Sequence, residues 1–398
     1  MEKKYSLRFV ITLIILVSAL SCLVTSFFVK KPYNALMSDY EFFKDYNALL
    51  DVIDNNYIGQ YDEDMLKTIS MKVAVEALDD RWSYYMTPEE YYEYQNSSNN
   101  QYTGIGVGVV PDEQTGGMYV QSIYKGSAAE TAGIVIGDVI IAIDGIDVKG
   151  EMADDMRDRL SRQIGDCVDL TVIRADESVV TITVVYSYVF VDPVSFEMLD
   201  GNIGYVQIAN FDQGASDSFI SAVEELIGQG AFAFIFDVRN NFGGRLNEMT
   251  PMLDYLLPEG EIFVAVDKSG VETIISSEPG MIDLPCVVLD NRYSFSAAEY
   301  FAATLGEYGY AKIVGEQTTG KSRMQSTFTL PGGGAVHIST DQYLTVNRVS
   351  LYDAGGLTPD YLIELTDEEM SKLISENLEK EADPQLAKAI ELLAGEAG

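Results

Sequence analysis

The chain has 398 residues, 47% of them hydrophobic, and its 62 acidic and 26 basic side chains give a formal net charge of −36. This length is enough for two or three compact units. A charge of this sign argues against direct nucleic-acid binding, which requires basic side chains to neutralise phosphates. We therefore expect a globular protein with no nucleic-acid partner.

The amino-terminal segment contains a hydrophobic run. Residues 9–29 are uncharged and mostly apolar, which is the length that a helix needs to cross a bilayer. Lys3, Lys4 and Arg8 precede the run and favour a cytoplasmic amino terminus. We interpret residues 1–31 as a membrane anchor, with the body extracytoplasmic, at the cell surface or in a periplasm-like space. A cleaved signal peptide, which would give a secreted protein, is the alternative.

Residues 32–100 are predicted to be a helical region. Apolar side chains recur there at helical spacing, and Thr87 with Pro88 begins a further helix. A polar linker follows this region and marks a domain boundary.

Residues 101–190 are rich in short strands, predicted over Met118–Ile123, Val139–Ile143, Val168–Ile173 and Val179–Val185, with a helix inserted over Asp154–Ile164. Within this region, Gly126–Gly145 has a small-residue helix, a turn and a strand, and it resembles the core of PDZ domains. In PDZ domains, a glycine–hydrophobic–glycine loop presents backbone amides to the terminal carboxylate of a peptide, which adds as an extra strand. The resemblance implies this peptide-carboxylate role for Gly104, Ile105, Gly106 and Val107. A tight glycine turn without a ligand is the alternative.

Over residues 191–365 the pattern changes to alternating strands and helices, which is typical of an α/β core. The apolar strand predicted over Phe232–Asp237 has the composition of a strand buried on both faces. It ends in a glycine turn that contains Gly243 and Gly244, and such a turn can bring backbone amides to a substrate carbonyl.

Ser296 lies between a short apolar strand, Pro285–Leu289, and a helical pattern. At such a turn the serine hydroxyl can face a cleft. The amide of Ala297 and the positive end of the helix dipole would then point at an oxyanion formed beside it. The alternative is that Ser296 and Glu299 form only a capping box, the serine and glutamate satisfying helix amides.

A serine hydroxyl becomes a good nucleophile only when a neighbouring base takes its proton. The single histidine, His337, lies in a strand-like run with no companion metal-ligand residues, so we interpret it as structural and expect no metal site. Lys321 is the other candidate base, because burial lowers the pKa of a lysine from about 10.4 toward neutrality. Gln325, four residues further on, falls on the same face and can orient the amine.

Residues 315–322 also match the phosphate loop of NTPases, Gly-x4-Gly-Lys-Ser. That loop requires a helix directly after the lysine and serine, to bind phosphate at its amino terminus. Residues 323–334 instead alternate as a strand and end in a glycine turn. Nucleotide hydrolysis therefore stays a remote alternative.

The acidic tail, residues 366–398, has apolar residues at helical spacing, which predicts docking onto the body or self-association, with a homodimer as one outcome. Three scattered cysteines give no disulfide framework, and we expect Cys167 and Cys286 to be packed thiols.

Considered together, the motifs resemble those of the carboxyl-terminal processing peptidases, also called tail-specific proteases. They occur in family order as Leu78-Asp-Asp-x-x-Ser-x-Tyr-x-Thr-Pro-Glu-Glu, the Gly-Ile-Gly-Val loop, Asp237-Val-Arg-Asn-Asn-x-Gly-Gly, Ser296-Ala-x-Glu, Val314-Gly-Glu-x-Thr-x-Gly-Lys-x-x-x-Gln and Gly356-Leu-x-Pro-Asp. The resemblance implies that Ser296 is the nucleophile, Lys321 the base and Gln325 the residue that orients the lysine. The implied oxyanion donors are the amide of Ala297 and that of Gly243 or Gly244.

The resemblance also implies an α/β multidomain fold with an amino-terminal helical segment, a PDZ-like β-rich domain, a ClpP/crotonase-like protease core and a carboxyl-terminal helical tail. The implied activity is that of a serine endopeptidase that needs no cofactor and captures protein or peptide substrates by a free, apolar carboxyl terminus. The alternative is an inactive scaffold that only binds protein carboxyl termini. The chain departs from the family pattern at positions outside the catalytic three, namely Phe242, Tyr293, Phe295, Glu307 and Thr319.

Overall fold

The computed structural model describes residues 16–18, 41, 43–150, 159–375 and 377–395. Most of the predicted anchor over 9–29, and about half of the helix predicted over 154–164, lie outside these residues. Among the described residues, no helix combines the length and the apolar character needed to cross a bilayer. The membrane anchor therefore stays a prediction. The chain divides into two compact units, residues 1–70 and 71–398.

The helices beyond residue 40, in chain order, are α1 (43–56), α2 (Glu63–Glu76), α3 (Pro88–Ser98), α4 (Ala128–Ala132), α5 (Ala215–Gly228), α6 (Leu246–Leu256), α7 (Ala297–Glu307), α8 (Leu351–Ala354), α9 (Asp367–Ile374) and α10 (Pro384–Ala394). The strands up to residue 200 are β1 (Tyr84–Met86), β2 (Gln101–Gly104), β3 (Val107–Pro111), β4 (Met118–Ile123), β5 (Val139–Ile143), β6 (Ile146–Asp147), β7 (Cys167–Ile173), β8 (Val179–Val185), β9 (Ser187–Phe190) and β10 (Val194–Leu199). The remaining strands are β11 (Ile203–Ile208), β12 (Ala233–Asp237), β13 (Gly260–Asp267), β14 (Glu272–Ser277), β15 (Cys286–Asp290), β16 (Ala311–Gly315), β17 (Arg323–Thr329), β18 (Ala335–Leu344) and β19 (Tyr361–Leu362).

In the first unit, the predicted helical character is confirmed over α1. The Tyr46 hydroxyl lies 2.8 Å from that of Ser70, within hydrogen-bond distance.

The second unit is organised around a six-stranded sheet with the order β10-β11-β12-β15-β16-β19. Only the β10–β11 pair is antiparallel, and the other neighbours run parallel. Parallel strands are buried on both faces, and accordingly Phe234, Ile235 and Phe236 of β12 are fully buried. Helices α5, α6 and α7 cover one face of this sheet.

Helix α10 covers the other face of the core sheet. Its buried side chains Leu386, Ala389 and Leu393 belong to one hydrophobic cluster with residues of β11, β12 and β15. The predicted docking of the tail onto the body is therefore confirmed for this helix, while self-association stays a prediction.

A buried ion network ties the same helix to the loop after β12. The Arg239 guanidinium donates to Asp237, to the Asp383 carboxylate at 2.7 Å and to the Gln385 side-chain oxygen at 3.0 Å. All four residues are at most 5% exposed. Because a buried charge is costly unless it is paired, this network fixes the start of α10 against the core sheet.

A second sheet has the order β1-β18-β13-β14, with β17 paired to β18. The strand-like run around His337 is confirmed as β18, and its register places His337 opposite Tyr84 of β1. Gln325 on β17 is opposite Ser339 on β18.

The predicted PDZ-like region contains a third sheet, with the order β3-β4-β5-β7-β8 and its own hydrophobic cluster. All four predicted strands are confirmed within one residue of their expected bounds. Strands β2 and β9 pair antiparallel at the entry to and exit from this region. Cys286 is buried as expected, but Cys167 at the start of β7 is exposed, so its interpretation as a packed thiol was wrong.

Candidate active site

Three neighbouring parallel strands, β12, β15 and β16, end at the same edge of the core sheet, where ligands bind in open α/β sheets. They lead into the glycine turn, the Ser296 turn and the Lys321 turn respectively. The first two turns are joined directly. The Ser294 hydroxyl donates to the Val238 carbonyl at 2.7 Å, and the Phe295 amide donates to the Asn241 carbonyl at 3.1 Å.

Ser296 lies at the start of α7, at the strand-to-helix turn that the sequence predicts, and its backbone is strained. Its φ of 61° and ψ of −124° fall in a region that non-glycine residues rarely occupy, at a cost of about 1–3 kcal/mol. Glu299 accepts a hydrogen bond from the Ser296 amide at 3.1 Å, as a capping box predicts. The turn places Ser296 in the wall of a cavity.

Gly243 packs against this turn more closely than a larger residue could. A Cβ at Gly243 would lie 2.7 Å from the Ser296 Cβ and 2.9 Å from the Ala297 nitrogen, and the φ of +91° also favours glycine. The Gly243 amide donates to the Asn241 side-chain oxygen at 2.8 Å. Among the described residues, the amides of Ala297 and Gly244 donate no hydrogen bond to a side chain or to another loop. These two amides are therefore the more available of the predicted oxyanion donors.

Lys321 follows Gly320, whose φ of +80° and close approach to the Gly356 backbone allow a sharp turn. Its amine nitrogen lies 4.6 Å from the centre of the Trp82 ring and 5.9 Å from that of Phe295. Burial lowers the pKa of Lys321 to about 8, although the carboxylates of Glu299 and Asp80 act in the opposite direction. With this pKa, about one-tenth of Lys321 is neutral at pH 7.

Gln325 lines the same cavity, but its side chain hydrogen-bonds elsewhere. Its amide nitrogen donates to the Arg323 carbonyl at 2.9 Å and to the Ser339 hydroxyl at 3.0 Å. These two contacts hold the side chain in place on β17. Its role in orienting Lys321 stays a prediction.

One cavity of about 710 Å³ brings together every residue predicted for catalysis and for the oxyanion site. This volume is within the range of small-molecule and peptide side-chain sites. The predicted residues in its wall are Gly243, Gly244, Ser296, Ala297, Lys321 and Gln325. Met249, Phe263 and Met324 add apolar surface to the same wall.

His337, interpreted as structural from the sequence, also lines this cavity. Burial and the nearby charge of Lys321 lower its pKa to about 4, so the imidazole is neutral at pH 7. Its Nδ1 is 2.8 Å from the Thr327 hydroxyl, and its ring lies 4.9 Å from that of Tyr84. His337 is thus packed and hydrogen-bonded, as expected, but the sequence did not predict that it lies in the wall of the cavity.

Trp82 is the second site residue that the sequence analysis missed. It is the only tryptophan of the chain, and it lies within the Leu78–Glu90 motif, which is the signal that could have identified it.

The predicted carboxylate-binding loop lies in the PDZ-like region, outside the cavity. The Ile105 carbonyl accepts from the Ala129 amide at 2.8 Å, and the Gly106 carbonyl accepts from the Tyr124 amide at 3.1 Å. Gly106 has a φ of +80°, and a Cβ there would lie 2.3 Å from the Ser127 Cβ. The loop leads into β3, which in the described part of the third sheet pairs with β4 alone. The free edge of β3 is the feature that peptide addition requires.

The phosphate-loop alternative is not supported by the local structure. After β16, residues 316–322 are irregular, and β17 follows directly over Arg323–Thr329. A strand occupies the place of the helix that would bind phosphate.

Comparison with known proteins identifies both regions. Residues 202–363 match Peptidase family S41, and residues 119–174 match the PDZ domain. The carboxy-terminal processing protease CtpA of Bacillus subtilis is 29% identical over 371 residues, which is 92% of this chain and 79% of that protein. A carboxyl-terminal-processing protease of Picosynechococcus is 30% identical over 296 residues, covering 72% of this chain and 70% of that protein.

Among solved structures, a protein from Bacteroides fragilis that is described as an S41 protease superposes on this chain with a TM-score of 0.51. The two are 19% identical, and the superposition covers 85% of this chain and 91% of that one. This similarity supports the fold. The sequence matches show that the chain is a serine-type peptidase and belongs to the carboxyl-terminal processing protease family, within Peptidase family S41.

Proposed function

We propose that the protein is a serine endopeptidase in which Ser296 is the nucleophile and Lys321 the general base, and that its PDZ region captures substrate carboxyl termini. The observation that carries this proposal is the single cavity that contains Ser296, the Ala297 amide and a lysine whose pKa is lowered to about 8. A partly buried lysine in the same cavity as a serine at a helix amino terminus has the chemistry that acyl transfer requires.

In the proposed reaction, the neutral Lys321 amine takes the proton of the Ser296 hydroxyl as the serine oxygen attacks the substrate carbonyl. The oxyanion forms beside the Ala297 amide, with Gly244 as the second donor. The Gly243 amide can take the place of the Gly244 amide if its hydrogen bond to the Asn241 side chain breaks. The protonated Lys321 then gives its proton to the departing amine, which leaves an acyl-enzyme and a neutral lysine. The same lysine then takes a proton from water as the water oxygen attacks the acyl carbonyl. It returns this proton to the leaving Ser296 oxygen, which releases the acid and regenerates the serine hydroxyl and the neutral amine.

Substrate capture is assigned to the loop of Gly104, Ile105, Gly106 and Val107. Its backbone amides would bind the terminal carboxylate, and the preceding residues of the substrate would pair with the free edge of β3. Gln325 is assigned the orientation of the Lys321 amine. We further propose that residues 9–29 anchor the protein and that the catalytic region is extracytoplasmic.

The catalytic assignment is tested by incubating the purified chain with an unfolded protein that ends in apolar residues. Lys321→Ala should lower kcat/KM by about 100-fold to 10,000-fold, the usual contribution of a general base. Ser296→Ala should abolish cleavage, because it removes the nucleophile. Lys312→Ala, an exposed lysine on β16, is the matched control and should retain activity. Cleavage that persists in Ser296→Ala would overturn the assignment.

Capture is tested with two substrates that differ only at the carboxyl terminus, one free and one amidated. The free acid should be bound and cleaved more efficiently, and Gly106→Ala should remove this difference because its Cβ would collide with Ser127. Equal cleavage of both substrates would contradict capture through the carboxylate. Binding of the free acid without any cleavage would instead favour the scaffold alternative.

A further inference from the structure

Glu299, in the first turn of α7, is fully buried and uses both carboxylate oxygens as acceptors. One oxygen, Oε2, accepts from the Ser296 amide at 3.1 Å and from the Lys321 amide at 2.9 Å. The other, Oε1, accepts from the Gly320 amide at 2.6 Å and from the Thr318 hydroxyl. Four donors therefore converge on one side chain.

Helix capping accounts for only one of these four hydrogen bonds. A capping box needs the glutamate to accept from the residue that starts its own helix, which here is Ser296. The other three donors belong to the turn of residues 318–321, which follows a different strand of the core sheet. A single carboxylate oxygen thus joins the backbone of the nucleophile to the backbone of the base.

We propose that Glu299 is a positioning residue that fixes the Ser296 turn against the Lys321 turn and thereby sets the approach of the serine hydroxyl to the lysine amine. This inference rests on the proposed roles of Ser296 and Lys321. Hydrogen bonds to an ionised acceptor are about twice as strong as neutral ones, so a carboxylate is better suited to this task than an amide.

The charge of Glu299 has a second effect, because it stabilises the ammonium form of Lys321. The other groups that act on Lys321 are the carboxylate of Asp80, which also favours the ammonium form, and the guanidinium of Arg81, which opposes it. His337 on β18 also lies near the lysine and is neutral at pH 7.

Two further groups face Glu299 itself. Asp290 on β15 is fully buried, and its pKa is raised well above the usual range by burial first and by Glu299 next. Tyr343 on β18 donates its hydroxyl to the Lys321 carbonyl, and burial followed by the charge of Glu299 raises its pKa. Neither supplies a positive charge, so the four hydrogen bonds and the ammonium form of Lys321 are what stabilise the Glu299 carboxylate, against a burial that raises the pKa of Glu299.

Position and charge can be separated with two substitutions. Glu299→Gln keeps the length of the side chain but removes the charge and places an NH₂ group among hydrogen-bond donors. Glu299→Asp keeps the charge but withdraws the carboxylate by one carbon–carbon bond. Both should lower the plateau of kcat/KM at high pH by about 100-fold, since a displacement of about 1 Å at a catalytic group has this effect.

The pH midpoint of kcat/KM distinguishes positioning from a structural role. In wild type it should follow the pKa of Lys321, about 8. Glu299→Gln should move the midpoint to lower pH, because the ammonium form loses a stabilising charge, whereas Glu299→Asp should leave it near the wild-type value. Glu369→Gln is the matched control, because Glu369 also forms a capping box: it accepts a hydrogen bond at 2.8 Å from the amide of Thr366, the residue that precedes α9. This substitution should change neither the plateau nor the pH midpoint of kcat/KM.

A wild-type plateau in Glu299→Gln would overturn the proposal, as would a lower plateau with an unchanged midpoint. If Glu299→Gln does not fold, as judged by circular dichroism, Glu299→Asp decides, and a wild-type plateau in that variant is the contrary result. Failure of the proposed function has a different signature, because Lys321→Ala would then remain active in the wild-type background.

Discussion

The amine nitrogen of Lys321 lies 4.6 Å from the centre of the Trp82 ring. The ring has two opposing effects on the lysine. It excludes water, which favours the neutral amine, and its π face attracts the ammonium ion. Burial is the largest influence on the pKa of Lys321, and we therefore expect the exclusion of water by the Trp82 ring to outweigh its attraction for the ammonium ion.

Trp82→Ala should therefore raise the pKa of Lys321 from about 8 toward its usual value of 10.5. A base acts in its neutral form, so kcat/KM rises as the pH passes upward through the pKa, and each unit of increase lowers the activity at pH 7 about tenfold. The pH profile of kcat/KM measures the shift. Trp82→Phe keeps an aromatic ring and should retain a midpoint closer to wild type. A midpoint that stays near 8 or falls in Trp82→Ala would show that the ring does not shield the lysine.

Gly243→Ala should abolish peptidase activity while the protein remains folded. The added methyl group would lie 2.7 Å from the Ser296 Cβ and 2.9 Å from the Ala297 nitrogen, so the nucleophile and an oxyanion donor must move. We expect a loss of about 100-fold or more in kcat/KM, measured with an unfolded protein substrate. Gly309→Ala is the matched control, since Gly309 also has a positive φ but its Cβ would meet no atom within 4 Å. Equal activity in the two variants would contradict the prediction.

Phe242→Ala should change substrate preference. Phe242 lines the cavity and is 63% exposed, and its ring stacks on Phe295 with centres 5.1 Å apart. Such a surface can pack against an apolar side chain next to the cleaved bond. The variant should lose about tenfold in kcat/KM for substrates with phenylalanine or leucine at that position, and little for alanine. Phe328→Ala removes a similarly exposed ring outside the cavity wall and should leave the preference unchanged. A uniform loss across substrates would exclude a role of Phe242 in specificity.

Asp290→Asn should stabilise the protein at neutral pH. Both carboxyl oxygens of Asp290 are buried without a hydrogen-bond partner among the described residues, and burial raises its pKa well above the usual range. The unfolded chain releases this proton above about pH 4, so the native state is disfavoured progressively as the pH rises toward the folded pKa. Each pKa unit of difference corresponds to about 1.4 kcal/mol, which asparagine avoids.

Urea unfolding at pH 7.5 and at pH 4.5 tests this expectation. Asp290→Asn should gain at least about 1 kcal/mol over wild type at the higher pH and less at the lower pH. Asp200→Asn, at an exposed position, should show no such difference. If Asp290→Asn gained the same free energy of unfolding at both pH values, the ionisation of Asp290 would not be the cause of the stabilisation.

The sequence predicted core strands β12 and β15 because burial on both faces leaves a continuous apolar run. The strand expected over Pro285–Leu289 is β15, displaced by one residue. Strand β14 was not predicted. Most of its side chains are exposed, so neither an apolar run nor a clear alternation marks it.

At the site, the sequence predicted residues whose roles depend on local position, such as Ser296 at the start of its helix. It did not predict contacts between segments that are distant along the chain. The Trp82 ring meets Lys321 through tertiary packing, and His337 enters the cavity through its register with Tyr84. The engagement of the Gly243 amide by Asn241 depends on a side-chain rotamer, which spacing alone cannot specify.

The hydrogen bonds of Arg239 to Asp383 and Gln385 make the loop after β12 depend on the carboxyl-terminal segment of the chain. Loss of the polypeptide from Asp383 onward would deprive a buried guanidinium of one of its two carboxylate partners, at a cost of about 3–5 kcal/mol. The affected loop is the one that carries Gly243 and Gly244. We therefore expect self-cleavage that removes Asp383 together with α10 to inactivate the molecule that undergoes it.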